Sequence, residues 1–263
     1  MLWAFLYRAA PGAELELTPP LDPAEIRAIL LDIEGTTTPI DFVFKTLFPF
    51  ANAHAEDFLR RHFRETEASR LITQLREASE LDGANGAPGW TEGGNEQIIV
   101  SAARYVRWLI ARDSKINPLK TLQGKIWQEG FRSGELKGEV YPDVAPAFVR
   151  WKSRGLRIAI FSSGSVLAQR LLFAHSTSGD LSSFLEAYFD TAIGLKREAA
   201  SYQKISSALQ LPPAQVLFIS DVVGELRAAQ DANMRTVLAC RPGAAPAPDW
   251  PGSVIASFTA LFP

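Results

Sequence analysis

One cysteine, Cys240, in 263 residues rules out an internal disulfide and suits a reducing compartment. Its place after Thr236-Val237-Leu238-Ala239 fits a small residue in a core or at its rim. Histidine is scarce as well. His54, His62 and His175 show no paired spacing with cysteine, so no zinc signature is present and each reads as structural or surface. A surplus of one charge is also missing. The 27 basic and 29 acidic residues leave a net charge of −2, which gives no global field for nucleic acid or an acidic membrane. No uncharged run approaches the roughly 18 residues that a membrane helix needs. Met1-Leu2-Trp3-Ala4-Phe5-Leu6-Tyr7 is apolar, but it is short, has no basic lead-in and is followed by Arg8, so it does not fit a secretory signal. These absences predict a cytoplasmic protein with no nucleic-acid or membrane partner. No internal repeat, coiled-coil heptad or long apolar edge stands out, which makes a monomer the default.

What is present is an ordinary globular composition, 47% hydrophobic and 21% charged, on a chain long enough for a substantial core. Its most informative stretch is Asp32-Ile33-Glu34-Gly35-Thr36-Thr37. The run before it, Ala28-Ile29-Leu30-Leu31, reads as a buried parallel strand. Two carboxylates at i and i+2 then stand at the strand's carboxyl end, where open α/β sheets bind their ligands. A carboxylate there can act as a nucleophile, and a second can carry a proton for the leaving group.

Three further segments follow in order. Leu156–Phe161 reads as a strand ending in Ser162-Ser163-Gly164-Ser165, whose hydroxyls and free N–H groups before a helix suit a phosphate. Lys196 stands in a polar loop after Tyr188-Phe189-Asp190-Thr191-Ala192. Val216–Ser220 is another strand, closed by Asp221-Val222-Val223-Gly224-Glu225, where two carboxylates four apart suit an oxygen-ligated cation. Singly, each has an ordinary explanation as a turn, a solvated lysine or a helix N-cap. Four in this order, each after a hydrophobic strand, point to phosphoryl chemistry.

Roughly 130 residues separate Asp32 from Ser162, against only about 34 and 25 for the next two gaps, each of which fits a single crossover. The long gap therefore holds an inserted unit. Phe44, Leu47, Phe48, Ala51, Ala55, Phe58 and Leu59 recur at helical spacing, as do Ile98, Ile99, Ala102, Tyr105, Val106, Leu109 and Ile110, and a third stripe runs from Leu119 to Phe131. Residues 82–95, rich in glycine, read as a loop. The expected fold is α/β, a Rossmann-like parallel sheet with an inserted all-helical cap. The expected division is an N-terminal extension over 1–25, a core over 26–40 and 138–263, and a cap over 41–137. Strands are expected at 27–33, 156–161, 188–192, 216–220 and 235–239, with core helices at 144–154, 166–174, 199–209 and 224–233.

This ordered set resembles the haloacid-dehalogenase (HAD) superfamily of phosphatases. On that resemblance Asp32 falls on the nucleophile position, Glu34 on the acid/base position, Ser162 on the hydroxyl motif, Lys196 on the lysine motif and Asp221 on the acidic metal-binding motif. Most phosphatases of the superfamily carry Asp where this chain has Glu34. Asp-Ile-Glu-Gly-Thr-Thr-Thr-Pro-Ile from Asp32, followed by Phe42 and Leu47-Phe48-Pro49, is similar to the enolase-phosphatases of methionine salvage. So are Leu119–Trp127, Phe161–Ser165, Ser201-Tyr202 and Arg241-Pro242-Gly243, and the likeness runs from about Ile29 to Gly243.

The resemblance implies catalysis by Asp32 and Glu34, phosphate binding by Ser162, Ser163 and Lys196, and Mg²⁺ at Asp32, Glu34 and Asp221. It implies a small-molecule phosphate ester as substrate. A 2,3-diketo-5-methylthiopentyl-1-phosphate would be enolised and then dephosphorylated to an acireductone. Glu34, Ser163 and Lys196 are candidate bases for the enolisation. Glu225 either reaches the cation through water or orients Lys196. A generic sugar- or nucleotide-phosphate phosphatase, a dehalogenase and a non-catalytic binding protein are the competing readings. Glu34 and Asp221 in a metal-type set argue against the dehalogenase.

Overall fold

A computed structural model describes residues 24–244 and 249–262. Nearly all of the expected 1–25 extension, including the apolar run Met1–Tyr7, lies outside the described residues. The chain opens with β1 (Ala28–Leu31) and then runs through a series of helices. These are α1 (Ile40–Phe42), a π turn (Val43–Leu47), α2 (Phe48–His62), α3 (Thr66–Leu81), α4 (Asn95–Ala111) and α5 (Asn117–Ser133). Next come α6 (Val144–Ser153), β2 (Arg157–Phe161), α7 (Val166–Ala174), β3 (Ala187–Phe189) and α8 (Ala199–Leu209). The described chain ends with β4 (Val216–Ser220), α9 (Val223–Asp231), β5 (Arg235–Ala239) and β6 (Val254–Ile255).

The six strands form one parallel sheet in the order β3-β2-β1-β4-β5-β6. β1 sits between β2 and β4, so the chain's crossovers diverge to either side of it. That divergence leaves a crevice beyond the carboxyl end of β1. Both faces of the sheet are buried, which is why its strands read as continuous apolar runs. Ile29, Leu31, Ile158, Ile160, Leu217 and Ile219 pack on one face with Phe148 and Trp151 of α6 and Phe173 of α7. Ala28, Leu30, Phe161 and Phe218 pack on the other with Tyr202 and Ile205 of α8 and Leu226 of α9.

The helices after β1 have a core of their own, built from Phe58 and Leu59 of α2, Ile72 and Leu75 of α3, Tyr105 and Val106 of α4, and Leu122 and Ile126 of α5. Leu47, Ala51, Trp127 and Phe131 instead continue the sheet's core into this helical unit. Pro118 starts α5, and Gly134, at φ +78°, ends it in the left-handed conformation that glycine tolerates best.

Most element ends fall within one or two residues of expectation, which is the ordinary fraying of element boundaries. The third strand is the exception. It ends at Phe189 rather than at 192, because Asp190 turns the chain and accepts from the Ala192 N–H at 2.9 Å and the Val166 N–H at 3.3 Å. The first strand stops at Leu31, since the Ile33 carbonyl already gathers the N–H groups of Thr36, Thr37 and Thr38. The two-residue β6 had no sequence signal. The histidines have structural partners: His54 stacks on Phe50, His175 on Phe131, and His62 bridges Glu65 and Glu129.

Candidate active site

Asp32 is buried at the carboxyl end of β1, its N–H still bonded to the Ile219 carbonyl at 3.0 Å. Thr37 Oγ1 donates to the Asp32 carbonyl at 3.1 Å and tightens the turn. Gly35, at φ +73°, permits the reversal. It also permits a close approach: a Cβ there would come within 2.6 Å of Asp221 Cγ. Asp221 at the end of β4 thereby lies against the turn that carries Asp32.

Lys196 joins this centre from the loop after β3. Its Nζ lies 2.5 Å from Asp32 Oδ1 and 2.6 Å from Glu225 Oε2. Glu225, in the first turn of α9, also accepts from Ser220 Oγ at 2.9 Å. Of the two roles left open for Glu225, the observed contact is with Lys196. The lysine loop is held by its own helix. Ser201 Oγ donates to the Leu195 carbonyl at 2.7 Å and Tyr202 OH to the Lys196 carbonyl at 2.6 Å. Ser162 is buried after β2, donates to Glu34 Oε2 at 3.3 Å, and accepts from the Gly164 N–H at 3.1 Å. Ser165 caps α7 through the Ala168 N–H at 3.3 Å.

These placements set the electrostatics. Burial raises the Asp32 carboxyl to about 6; Lys196 opposes the rise and Glu225 adds to it. Burial, then the charges of Asp32 and Glu225, push Asp221 up to about 7. Burial, then Asp32, likewise raises Glu34. Burial disfavours the Lys196 ammonium, but Asp32 and Glu225 more than offset it and hold the group above its usual range.

Asp32 and Glu225 thus share a single ammonium, and Asp221 lies against the same turn. Asp221 Oδ1 is buried without a hydrogen-bond partner. An all-oxygen donor set with an orphaned acceptor fits a hard cation such as Mg²⁺. Among the described residues, no three carboxylate or imidazole groups converge to hold a cation alone. The Glu34 carboxylate is hydrogen-bonded to Ser162 instead. Such an incomplete set suits Mg²⁺, which is usually held by one or two carboxylates together with water and substrate phosphate.

Glu34, Ser162 and Ser163 open onto a cleft between the sheet edge and the helices, with Leu47, Phe48 and Trp127 among its walls. The six expected site residues therefore fall in two connected groups. Asp32, Lys196 and Asp221 gather at the sheet edge, and Glu34, Ser162 and Ser163 line the cleft. Sequence reasoning did not single out Ser220, Lys120 or Gln123 as site residues. Lys120 and Gln123 also line the cleft, and a polar pair three apart on an otherwise apolar helix face was the available signal.

Comparison with known proteins agrees with this geometry. The haloacid dehalogenase-like hydrolase family matches residues 26–233. The chain is 52% identical over 221 residues to an Enolase-phosphatase E1 of Synechococcus elongatus, covering 84% of this chain and 91% of that protein. It is 48% identical over 218 residues to an Enolase-phosphatase E1 of Pseudomonas aeruginosa, covering 83% and 91%. The crystal structure of the UTR4 protein of Saccharomyces cerevisiae superposes with a TM-score of 0.73 at 34% identity, covering 90% of this chain and all of that one. A parallel sheet with Asp32 at its switch point, a buried Asp32–Lys196 pair and half-identity over most of the chain lead to one family: this chain belongs to the enolase-phosphatases of the haloacid dehalogenase-like hydrolases.

Proposed function

We propose that this chain enolises 2,3-diketo-5-methylthiopentyl-1-phosphate and then dephosphorylates it to an acireductone, the step of methionine salvage made by an acireductone synthase. The supporting observation is a buried charge cluster, Asp32–Lys196–Glu225, beside a cleft with apolar walls at Leu47, Phe48 and Trp127. The cluster suits a phosphoryl group and the walls suit an alkyl thioether. Helices α1–α5 act as the cap over the sheet edge. No helix among the described residues is long and apolar enough to cross a membrane.

Asp32 attacks phosphorus in line, the phosphorus–oxygen bond to the substrate breaks, and an aspartyl-phosphate forms. Glu34 gives its proton to the leaving oxygen, then takes one from the water that hydrolyses the acyl phosphate. Ser162, Ser163 and Lys196 hold the phosphoryl oxygens. The carboxylates of Asp32 and Asp221, with a backbone carbonyl near Glu34, would hold Mg²⁺, which would supply positive charge to those oxygens. For the preceding enolisation, Lys196 is a poor base because two carboxylates keep it charged. Glu34, with its raised pKa and its place in the cleft, is the better one.

Incubation with the diketo-phosphate, following enediol absorbance and inorganic phosphate together, tests the proposal. The two should rise in parallel. Phosphate release without an enediol would favour a generic phosphatase.

A further inference from the structure

We propose, resting on that reading of the reaction, that Lys120 of α5 binds the 1,2-dicarbonyl group of the substrate and donates to the oxygen that becomes the enol hydroxyl. Lys120 lines the same cleft as Glu34 and Ser162. Its helix is brought there by Gly124, where a Cβ would lie 3.3 Å from Leu167 and 3.6 Å from Ser165 Oγ, so α5 packs closely on the turn after β2.

Lys120 differs from the other cations of the site in its partners. Lys196 is shared by two carboxylates, and Lys115 is paired with Asp113 at 2.5 Å. Lys120 donates to the neutral hydroxyl of Thr191 at 2.9 Å and has no ion pair among the described residues. The carboxylate of nearby Asp190 is occupied by the N–H groups of Val166 and Ala192. A half-buried ammonium with three donors and no carboxylate partner is costly for the free protein, and an oxygen-rich ligand relieves the cost. Burial lowers its pKa, Asp190 opposing and Lys115 adding, and a less basic ammonium is the better proton donor. Gln123, one turn further along α5, lines the cleft as well and adds neutral amide donors for the second carbonyl oxygen.

The cation-type carboxylate Asp221 opens on a different concavity, with Gly35, Tyr141 and Arg241. Lys115 and Lys120 are the ammonium groups that line the cleft itself. The proton balance closes on residues of the site. Glu34 removes a proton from the carbon bearing the phosphate ester, and that bond's electrons form the carbon–carbon double bond. The neighbouring carbonyl pair moves onto oxygen, which takes a proton from Lys120, and solvent reprotonates the amine. Glu34, now protonated, holds the proton that the departing ester oxygen needs.

The test compares the diketo-phosphate, read by enediol absorbance, with 4-nitrophenyl phosphate in the same Mg²⁺ buffer. Lys120→Met should lower the ratio of kcat/KM for the first substrate to that for the second by about a hundredfold, the usual cost of removing one preorganised donor. Lys120→Arg should recover part of that ratio. Thr191→Val, which removes only the strap between α5 and the loop after β3, should leave the ratio unchanged. Thermal melts confirm folding of each variant. Equal losses on both substrates, or a Thr191→Val variant that reproduces the altered ratio, would show Lys120 to be a strap and overturn the assignment. Wild-type protein that releases phosphate without any enediol would overturn the underlying reading of the function itself.

Discussion

The two sides of the Asp32–Glu34 turn are built on opposite plans. On the outer side one arginine ties the turn to the rest of the core. Arg241 donates to the Thr36 carbonyl at 2.6 and 2.8 Å, pairs with Asp143 at 2.6 Å, and lies between the rings of Tyr141 and Phe258 at 4.4 and 4.2 Å. Asp143 also accepts from Ser257 and from the Phe258 N–H. On the cleft side apolar walls carry a few donors without a carboxylate partner, among them Ser163, Lys120 and Gln123. The outer side can afford no slack, because it fixes the backbone that aims Asp32 and receives Asp221. The cleft side holds few internal bonds, so its polar groups remain available to a ligand. Rigidity and recognition are thus divided across one turn.

The largest effect expected from breaking this division is on Asp32. Asp32→Asn should abolish phosphate release, by more than about 10⁴-fold, as loss of a covalent nucleophile does elsewhere. Turnover near the parental rate by a pure variant would end the covalent scheme. On the cleft side, Glu34→Asp should separate the half-reactions. Enediol formation should fall by about a hundredfold, and hydrolysis of a simple ester by about tenfold or less, within the range of general acid–base effects. Equal losses in one preparation would leave Glu34 as an acid alone and place the enolisation base elsewhere.

On the outer side the expected loss is structural. Arg241→Met should destabilise the protein by about 3 kcal/mol, since it leaves Asp143 half-buried and the Thr36 carbonyl short of donors. Urea denaturation would measure it, and an unchanged midpoint would mean that the turn holds itself. Mg²⁺ tests the orphaned Asp221. At about 100 times its dissociation constant it should stabilise the fold by about 2.7 kcal/mol. Chelator should remove that gain together with the activity, and Asp221→Asn should weaken both responses. Full activity in verified metal-free buffer would count against the cation.

The smallest effect lies far from the turn, in the helical unit. A hydrogen bond to Glu65 raises the pKa of His62; burial opposes this and Glu129 adds to it. With a folded-state pKa above the unfolded value, this contribution is complete below a pH of about 6.5. It is lost as pH rises through the folded value. Exposure limits it to no more than about 0.5 kcal/mol. Melting curves of wild type and His62→Gln should converge above that transition; a constant difference from acid to alkaline pH would exclude the ion pairs as its source.

Much of this organisation was legible in the chain because it is local. A buried parallel strand must be apolar on both faces, so β1, β2, β4 and β5 announced themselves, and their polar ends marked the site. The β3 boundary was not legible. Tyr188–Ala192 has strand-like composition, and only the Asp190 hydrogen bonds to Val166 and Ala192 show where the strand gives way to a turn. Helix α3 carries its buried Ala68, Leu71, Ile72 and Leu75 among many charges and was covered only by the general expectation of a helical insert.

By itself the sequence determined the order of strands and motifs, and therefore which edge of the sheet would carry carboxylates, hydroxyls and a lysine. The period of apolar residues and the chemistry of turns are properties of neighbouring positions. Tertiary structure decided the pairings. Lys196 reaches Asp32 across 164 residues of chain, and the donor from Lys120 meets Thr191 across 71. It also decided that Glu225 would serve Lys196, and that Asp221 would keep an unpartnered oxygen against Gly35. Such contacts depend on how twisted strands and packed helices bring distant side chains together, and no local period encodes that distance.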